Sequence, residues 1–196
     1  RGAFTARRDT YIPEPSTSPD AYGETLFESL TRQLEQQLDV ADEERLAAKH
    51  IIGNLDDNGY LTRDIRSIAD DILMAEGAEI SPETVNRVWQ MVRSLDPAGV
   101  GATDLRDCLL LQLDRMRRST EQLTAREIIR DYFDLFSKRH FDKIASALGI
   151  TRDALDDALA VISRLNPKPG ALLAPSGLED RSRHISPDFL VEPDSD

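Results

Sequence analysis

The sequence contains little cysteine, few aromatic residues and no long hydrophobic run. Cys108 is the only cysteine among 196 residues, which excludes a disulfide framework and is typical of a reducing compartment. No run of about 18 apolar residues is present, so a membrane-spanning helix is excluded. Hydrophobic residues nevertheless make up 40% of the chain, enough to build the buried cores of one or two domains. We therefore predict a cytoplasmic protein that does not bind a membrane.

Basic residues are outnumbered by acidic ones. The chain carries 36 acidic residues and 24 Lys or Arg residues, which gives a net charge of −12. Residues 20–80 alone hold 15 acidic and 5 basic side chains, a net charge of −10. Such a stretch repels nucleic acid phosphates and suits a basic protein partner, although a solvated helical surface explains it equally well.

Residue patterns that carry catalysis are missing as well. The three histidines, His50, His140 and His184, are scattered and lie near no cysteine pair, so zinc lacks ligands at any usual spacing. Cys108 lies within a leucine-rich run and is predicted to be a small core residue. We find neither a phosphate-binding glycine loop nor a nucleophile motif. The sequence therefore predicts a non-catalytic protein without a cofactor or a metal.

One acidic segment superficially resembles a calcium-binding loop. Asn54, Asp56, Asn58 and Gly59 occupy the first, third, fifth and sixth positions of such a loop. The twelfth position is Ile65, whereas calcium requires a bidentate glutamate there. We interpret the segment as the end of a helix rather than as a calcium site.

The sequence contains a series of amphipathic helical patterns, which predict an all-α fold of two units. In the first pattern, leucines recur every fourth residue from Leu26 to Leu38. The later helices are predicted to begin at about Glu43, at the caps Thr62, Ser81 and Thr103 or Asp104, and at a capping box from Thr124 to Glu127. We predict an N-terminal helical bundle over residues 24–120 and a C-terminal three-helix unit, similar to a helix-turn-helix, over residues 121–170.

The C-terminal unit contains the helix-turn-helix pattern itself. Two helices within residues 141–162 are predicted to meet at a tight turn at Gly149. In an alternative function, the protein is a DNA-binding regulator whose second helix enters the major groove, with Arg152 and Lys168 nearest the DNA. Three aspartates accompany Arg152 in the first turns of that helix, and carboxylates disfavour contact with phosphates. A structural role is therefore favoured over DNA reading.

Three segments repeat one pattern. An apolar helical run ends in Leu, an Asp or Asn follows directly, and a Gly lies three or four residues after that Asp or Asn. They are Leu-Asp-Asp-Asn-Gly at residues 55–59, Leu-Asp-Pro-Ala-Gly at residues 95–99 and Leu-Asn-Pro-Lys-Pro-Gly at residues 165–170. Asp and Asn tolerate left-handed backbone, Gly accepts a positive φ, and Pro disfavours a helix before it. We refer to them as the first, second and third stop motifs, and we expect each to end a helix.

The residues and the order of these motifs resemble the core-polymerase-binding region of bacterial sigma-54 transcription factors. The first motif continues as Tyr60-Leu61, the second as Val100-Gly101-Ala102, and the run Leu105 to Leu113 and the pair Pro187-Asp188 extend the similarity. The resemblance covers about Thr25 to Val191, most of the chain. It implies a protein that binds core RNA polymerase and directs it to a distinctive class of promoters, where opening requires an ATP-hydrolysing activator.

The resemblance also implies how this chain relates to a whole factor. The chain begins at Arg1 without Met, and we expect it to be a fragment. Residues 1–23 match a variable and mobile linker arm, and residues 171–196 form a tail that leads to an absent C-terminal DNA-binding domain. We expect the fragment to dock on core RNA polymerase, while promoter DNA and the activator are bound by the absent C-terminal and N-terminal parts.

In the resembling family, the first helical unit does most of the docking. Asp56, Asp57, Asn58 and Tyr60 are predicted to lie on an exposed turn that meets a basic surface of the polymerase. The alternative is that the turn serves the fold, with Tyr60 in the core. For the glycines and leucines of the motifs we favour a structural role, because they set backbone turns and fill the core. For the polar turn residues both interpretations stay open.

Overall fold

The computed structural model describes residues 24–36 and 40–173. Within these ranges the regular structure is helical, apart from one isolated bridge between Leu55 and Leu61, and this confirms the all-α prediction. The helices are α1 (Leu26–Glu35), α2 (Asp42–Gly53), α3 (Ile65–Glu76), α4 (Pro82–Arg93), α5 (Leu105–Arg115), α6 (Thr120–Asp131), α7 (Phe133–Ser137), α8 (Phe141–Leu148) and α9 (Arg152–Ser163), and a 3-10 helix follows at Pro169–Leu173. The predicted arm at residues 1–23 and most of the predicted tail lie outside the described residues.

Two of the predicted helix starts are wrong by a few residues. The cap of α3 is Asp64 rather than Thr62, and its carboxylate accepts a hydrogen bond from the first turn of the helix. The cap of α6 is Ser119, so Thr124 lies inside the helix instead of opening it. Several Ser, Thr and Asp residues occur close together at both places, and each of these types is a competent cap. The choice between them depends on packing that a local pattern does not contain.

The first four helices bury one hydrophobic core, which we call the first core cluster. α2 is its central element and packs against α1, α3 and α4. Ala47 and Ala48 let neighbouring helices approach α2, and Ile51 and Ile52 fill the space between them. The other buried members are Leu30, Leu34, Leu61, Ile68, Ala69, Ile72, Ile80, Val85, Val88, Val92, Leu95 and Val100.

The last five helices share a second core cluster. α6 is central here and packs against α5, α7 and α9. Leu109 and Leu113 of α5 are buried in this cluster, although the predicted boundary at residue 120 groups α5 with the first bundle. The other buried members are Ala125, Ile128, Ile129, Ile144, Leu155, Ala158 and Ile162. The predicted domain limits stay a prediction, because clusters of buried side chains do not by themselves define domains.

Candidate docking site

The three stop motifs are far apart in the sequence but meet in one place between the two core clusters. The backbone N–H of Gly101, two residues after the second motif, donates to the carbonyl of Gly59 at 2.8 Å, which joins this segment to the first motif. The backbone N–H of Gly170 donates to the carbonyl of Asn58 at 2.9 Å, which joins the third motif to the first. We call this region the junction, and it consists of residues 56–61, 95–102 and 165–170.

Two glycines allow the motifs to approach this closely. Gly59 has a φ of +87°, a left-handed conformation that L side chains rarely adopt. Gly170 has no such φ, but a Cβ atom there would lie 2.6 Å from the nitrogen of Gly59 and 2.7 Å from the carbonyl oxygen of Asp57. The expectation that each motif glycine serves a positive φ is therefore wrong for the third motif, where glycine provides space. The motifs are also loops that follow the helix ends, since α2 already ends at Gly53.

A buried glutamine of α5 binds the third motif. The Nε2 of Gln112 donates to the carbonyl of Asn166 at 2.7 Å, and its Oε1 accepts from the backbone N–H of Asn166 at 2.8 Å. Cys108 is buried as predicted, its Sγ lies 3.2 Å from the Nε2 of Gln112, and burial raises the pKa of its thiol. Gln112 is not among the residues predicted from the sequence, although a polar residue between Leu111 and Leu113 is a visible signal. This side chain fixes α5 to the third motif.

Two side chains hold the second motif, one from a helix of the first core cluster and one from a helix of the second. Gln33 of α1 donates through Nε2 to the carbonyl of Asp96 at 2.6 Å and accepts from the backbone N–H of Asp96 at 2.8 Å. Arg115 of α5 donates to the carbonyl of Leu95 at 2.8 Å and to the carboxylate of Asp96 at 3.0 Å. The junction thus connects helices of both clusters through backbone atoms of the loops.

Two of the four predicted docking residues are engaged inside the junction. One carboxylate oxygen of Asp56 accepts hydrogen bonds from the backbone N–H of Asn58 at 2.9 Å and of Tyr60 at 2.8 Å. The hydroxyl of Tyr60 donates to the carbonyl of Pro167, and burial raises the pKa of the phenol well above its usual value. Asp56 therefore shapes the turn, and Tyr60 ties the third motif to it.

The other two predicted docking residues differ in exposure. Asp57 is exposed, whereas Asn58 is half-buried, as are Asp56 and Tyr60. The sequence predicts that the whole turn is exposed, but the third motif covers part of it through the contact of Gly170 with Asn58. Asp57 presents its carboxylate to solvent, and its role in docking stays a prediction.

The two residues predicted nearest to DNA lie at α9 and in the third motif. Arg152 is exposed in the first turn of α9, with its Nη1 3.1 Å from Oδ1 of Asp142 and its Nε 3.1 Å from Oδ1 of Asp156. Lys168 is exposed in the third motif. Two carboxylates already balance the charge of Arg152, which weakens its suitability as a phosphate ligand.

The surface around the first core cluster is acidic, and several of its arginines are already paired. Arg32 lies 2.7 Å from Glu24, and Arg87 lies 2.7 Å from Glu44. The hydrogen bond from Arg87 lowers the pKa of Glu44. Many further carboxylates are exposed, namely Glu35, Asp42, Glu43, Asp57, Asp64, Asp70, Glu76, Glu79 and Glu83. This surface presents excess negative charge, which favours contact with basic molecules over contact with nucleic acid.

The described part of the chain offers no cluster of chemically reactive groups. No group of three or more His, Cys, Asp or Glu residues there is placed to hold a metal ion. None of the helices described is both long and apolar enough to cross a membrane. An open hollow of about 320 Å³ lies among α5, α7, α8 and α9, and apart from Ser163 its lining is apolar: Leu105, Leu109, Phe136, Phe141, Leu159, Ile162, Leu165 and Pro167. Such a hollow can bind an apolar group but contains no acid or base.

The family model and the curated relatives that match this chain all describe one kind of protein. Residues 17–196 match the family model described as the sigma-54 factor core binding domain. The chain is 36% identical to the RNA polymerase sigma-54 factor of Shewanella violacea over 174 residues, which cover 86% of this chain and 34% of that protein. It is 34% identical to the RNA polymerase sigma-54 factor of Escherichia coli, and the match covers 77% of this chain and 30% of that protein. It is 30% identical to the RNA polymerase sigma-54 factor of Bacillus subtilis, and the match covers 85% of this chain and 36% of that protein. The chain spans about a third of the length of the curated relatives it matches.

Proposed function

Because the chain belongs to the sigma-54 factor family, we propose that it is the part of such a factor that binds core RNA polymerase. The match of residues 17–196 to the core binding domain carries this proposal. The protein acts by docking in the cytoplasm and performs no catalytic step of its own. Since it spans about a third of its relatives, we assign promoter DNA and the ATP-hydrolysing activator to other parts of the full-length factor.

The charge of the first core cluster supports docking on a basic surface of the polymerase. Its exposed carboxylates outnumber its basic side chains, and arginines such as Arg32 and Arg87 are paired within the protein. Excess negative charge accelerates encounter with a basic partner and makes the association dependent on salt. Asp57 is the predicted docking residue that is free to contribute, because its carboxylate is exposed and the motif does not use it to shape the turn.

A titration of core RNA polymerase tests this proposal with the 196-residue chain. We expect saturable binding of the fluorescently labelled chain, measured by anisotropy, and a loss of affinity as salt is raised. Asp57→Lys is expected to weaken binding by about twofold to fivefold, in the range of a charge at the rim of an interface. The matched control is Asp157→Lys on α9, an exposed aspartate outside the first cluster, and it should change affinity less than about twofold.

Two results of the same titration would contradict the proposal. The first is the absence of saturable binding to polymerase at low salt. The second is tighter binding of the chain to duplex DNA than to polymerase, which would favour the DNA-binding alternative with Arg152 and Lys168.

A further inference from the structure

The outer face of α3 carries two apolar side chains that the fold does not use. Met74 is 87% exposed and Leu73 is 48% exposed. The opposite face of α3 supplies Ile68, Ala69 and Ile72 to the first core cluster, and these are almost completely buried. Leu73 and Met74 therefore contribute little to the packing that holds α3 in place.

The two residues lie on one continuous exposed stripe. Arg66, Asp70, Leu73 and Gly77 are all exposed, and their spacing of three or four residues places them along one face of the helix. Met74, also exposed, lies at the edge of this face, four residues after Asp70. The stripe is polar near its start and apolar near its end, where α3 stops at Gly77. Single exposed apolar residues are ordinary on protein surfaces, whereas adjacent ones with a polar surround are typical of contact surfaces.

The helix that presents this pair is anchored at both of its ends. Arg63, just before α3, binds the carboxylate of Asp71 and the side-chain oxygen of Asn54, the latter at 3.1 Å. Near the other end, Nε2 of His50 lies 3.4 Å from Oε1 of Glu76. Both contacts tie α3 to α2 or to the loop that follows it. Leu73 and Met74 are thus held on an ordered surface, which reduces the entropy lost on binding.

Carboxylates surround the pair and indicate the chemistry of a partner. Asp70, Glu76 and Glu79 are exposed on α3 or directly after it. A partner therefore needs an apolar recess with basic side chains at its edge. A second copy that docked through the same face of α3 is a poor occupant, because it would place the carboxylates of one copy against those of the other.

We propose that Leu73 and Met74 insert into an apolar recess with a basic rim on core RNA polymerase. This inference rests on the proposed function and adds to it the side chains that make the apolar contact. The flexible thioether of Met74 adapts to the shape of such a recess, and the carboxylates orient the helix against its rim.

The test uses the 196-residue chain and purified core RNA polymerase in an anisotropy titration at low and high salt. The double variant Leu73→Ser/Met74→Ser is expected to bind about tenfold more weakly, with a salt dependence like that of the unmodified chain, because the lost contact is apolar. The matched control is Leu123→Ser on α6, where the leucine is 51% exposed, and its affinity should be unchanged. The single variant Met74→Ser provides a second measurement at the most exposed position, and thermal unfolding verifies that each variant is folded.

Three outcomes would overturn the inference, and they are distinguishable. If the unmodified chain fails to bind polymerase at all, both the proposed function and this inference fall. If the unmodified chain binds and both serine variants bind equally well, only the inference falls. If sedimentation shows that the unmodified chain is a dimer and the double variant a monomer, the face binds a second copy and not the polymerase.

Discussion

The two core clusters are both packed from short helices, yet their surfaces carry opposite charge. Residues 24–93, which contain α1 to α4, include 15 acidic and 7 basic side chains. Residues 105–173, which contain α5 to α9, include 10 acidic and 12 basic side chains. Two similar hydrophobic cores therefore lie beneath surfaces of different charge. The acidic surface belongs to residues 24–93, the region that we propose docks on the polymerase. The two clusters meet at the junction, and variants of the junction test how far the stability of one cluster depends on the other.

The largest effect is expected from Gly170→Ala, which places a Cβ atom against backbone of the first motif. The nearest atoms would be 2.6 Å away and belong to the backbone, so the loops must separate. We expect a loss of about 2–4 kcal/mol in the free energy of unfolding. Urea unfolding should be followed by fluorescence of Trp89, the only tryptophan, which reports on the first cluster, and by circular dichroism, which reports on both.

The control for this variant is Gly53→Ala at the end of α2. A Cβ atom there would meet nothing within 4 Å, and Gly53 has no positive φ. It should be neutral or stabilise by up to about 1 kcal/mol. If the two glycine variants had equal stability, the junction would not couple the two clusters.

A smaller loss is expected from Gln112→Ala, which removes the hydrogen bonds from Gln112 to the backbone N–H and carbonyl of Asn166. The carbonyl then keeps only the weak contact with Sγ of Cys108 at 3.7 Å. Because these backbone groups are half-buried, we expect a loss of about 1–2 kcal/mol in the free energy of unfolding. The exposed Gln90 on α4 provides the matched control, since Gln90→Ala removes the same side chain from a solvated surface. Urea unfolding of the two variants compares them directly, and equal stability would show that α5 does not need the third motif.

The smallest effect concerns Tyr60 and appears only at alkaline pH. Burial raises the pKa of its phenol in the folded protein above the unfolded value of about 10. The neutral phenol is therefore favoured by folding, and its contribution is complete below about pH 10 and declines as the pH rises above it. We expect the unmodified protein to lose about 1 kcal/mol more than Tyr60→Phe when the pH is raised from about 9 to about 10.5. Urea unfolding at both pH values measures this, with Cys108→Ala in both proteins because the Cys108 thiol interacts with Tyr60. Parallel losses would contradict the prediction.

The sequence predicted the helices well because helical periodicity is a local property. The leucine stripe from Leu26 to Leu34 and the cap at Ser81 are confirmed, and Leu38 of the predicted stripe lies outside the described residues. The caps at Thr62 and Thr124 are wrong because neighbouring residues are equally competent caps. The meeting of the three motifs was not predictable in the same way, since a repeated local pattern contains no information about which loops touch. The close approach of backbone to Gly170 and the hydrogen bonds of Gln112 to Asn166 both result from the contact between these loops.

The all-α fold is confirmed, whereas the docking role of the four predicted site residues stays a prediction. Asp56 and Tyr60 were chosen as polar residues next to a turn, but polar residues at turns also serve the turn itself, as the two hydrogen bonds to Asp56 illustrate. Leu73 and Met74 were not chosen, because apolar residues in an amphipathic helix are assigned to its core by default. Only the exposure of their side chains in the folded protein sets them apart.

The junction also has a consequence for the order in which the chain folds. Tyr60 and Pro167 are 107 residues apart in sequence, so their contact closes a very long loop. Closing such a loop costs entropy that the helices within each cluster, which pack mostly on near neighbours, do not require. We therefore expect the clusters to form first and the three loops to come together last. Before the third stop motif has been synthesised, Asn58 and Tyr60 lack their partners, so we expect the turn at residues 56–60 to reach its final form only after residue 170 has been made.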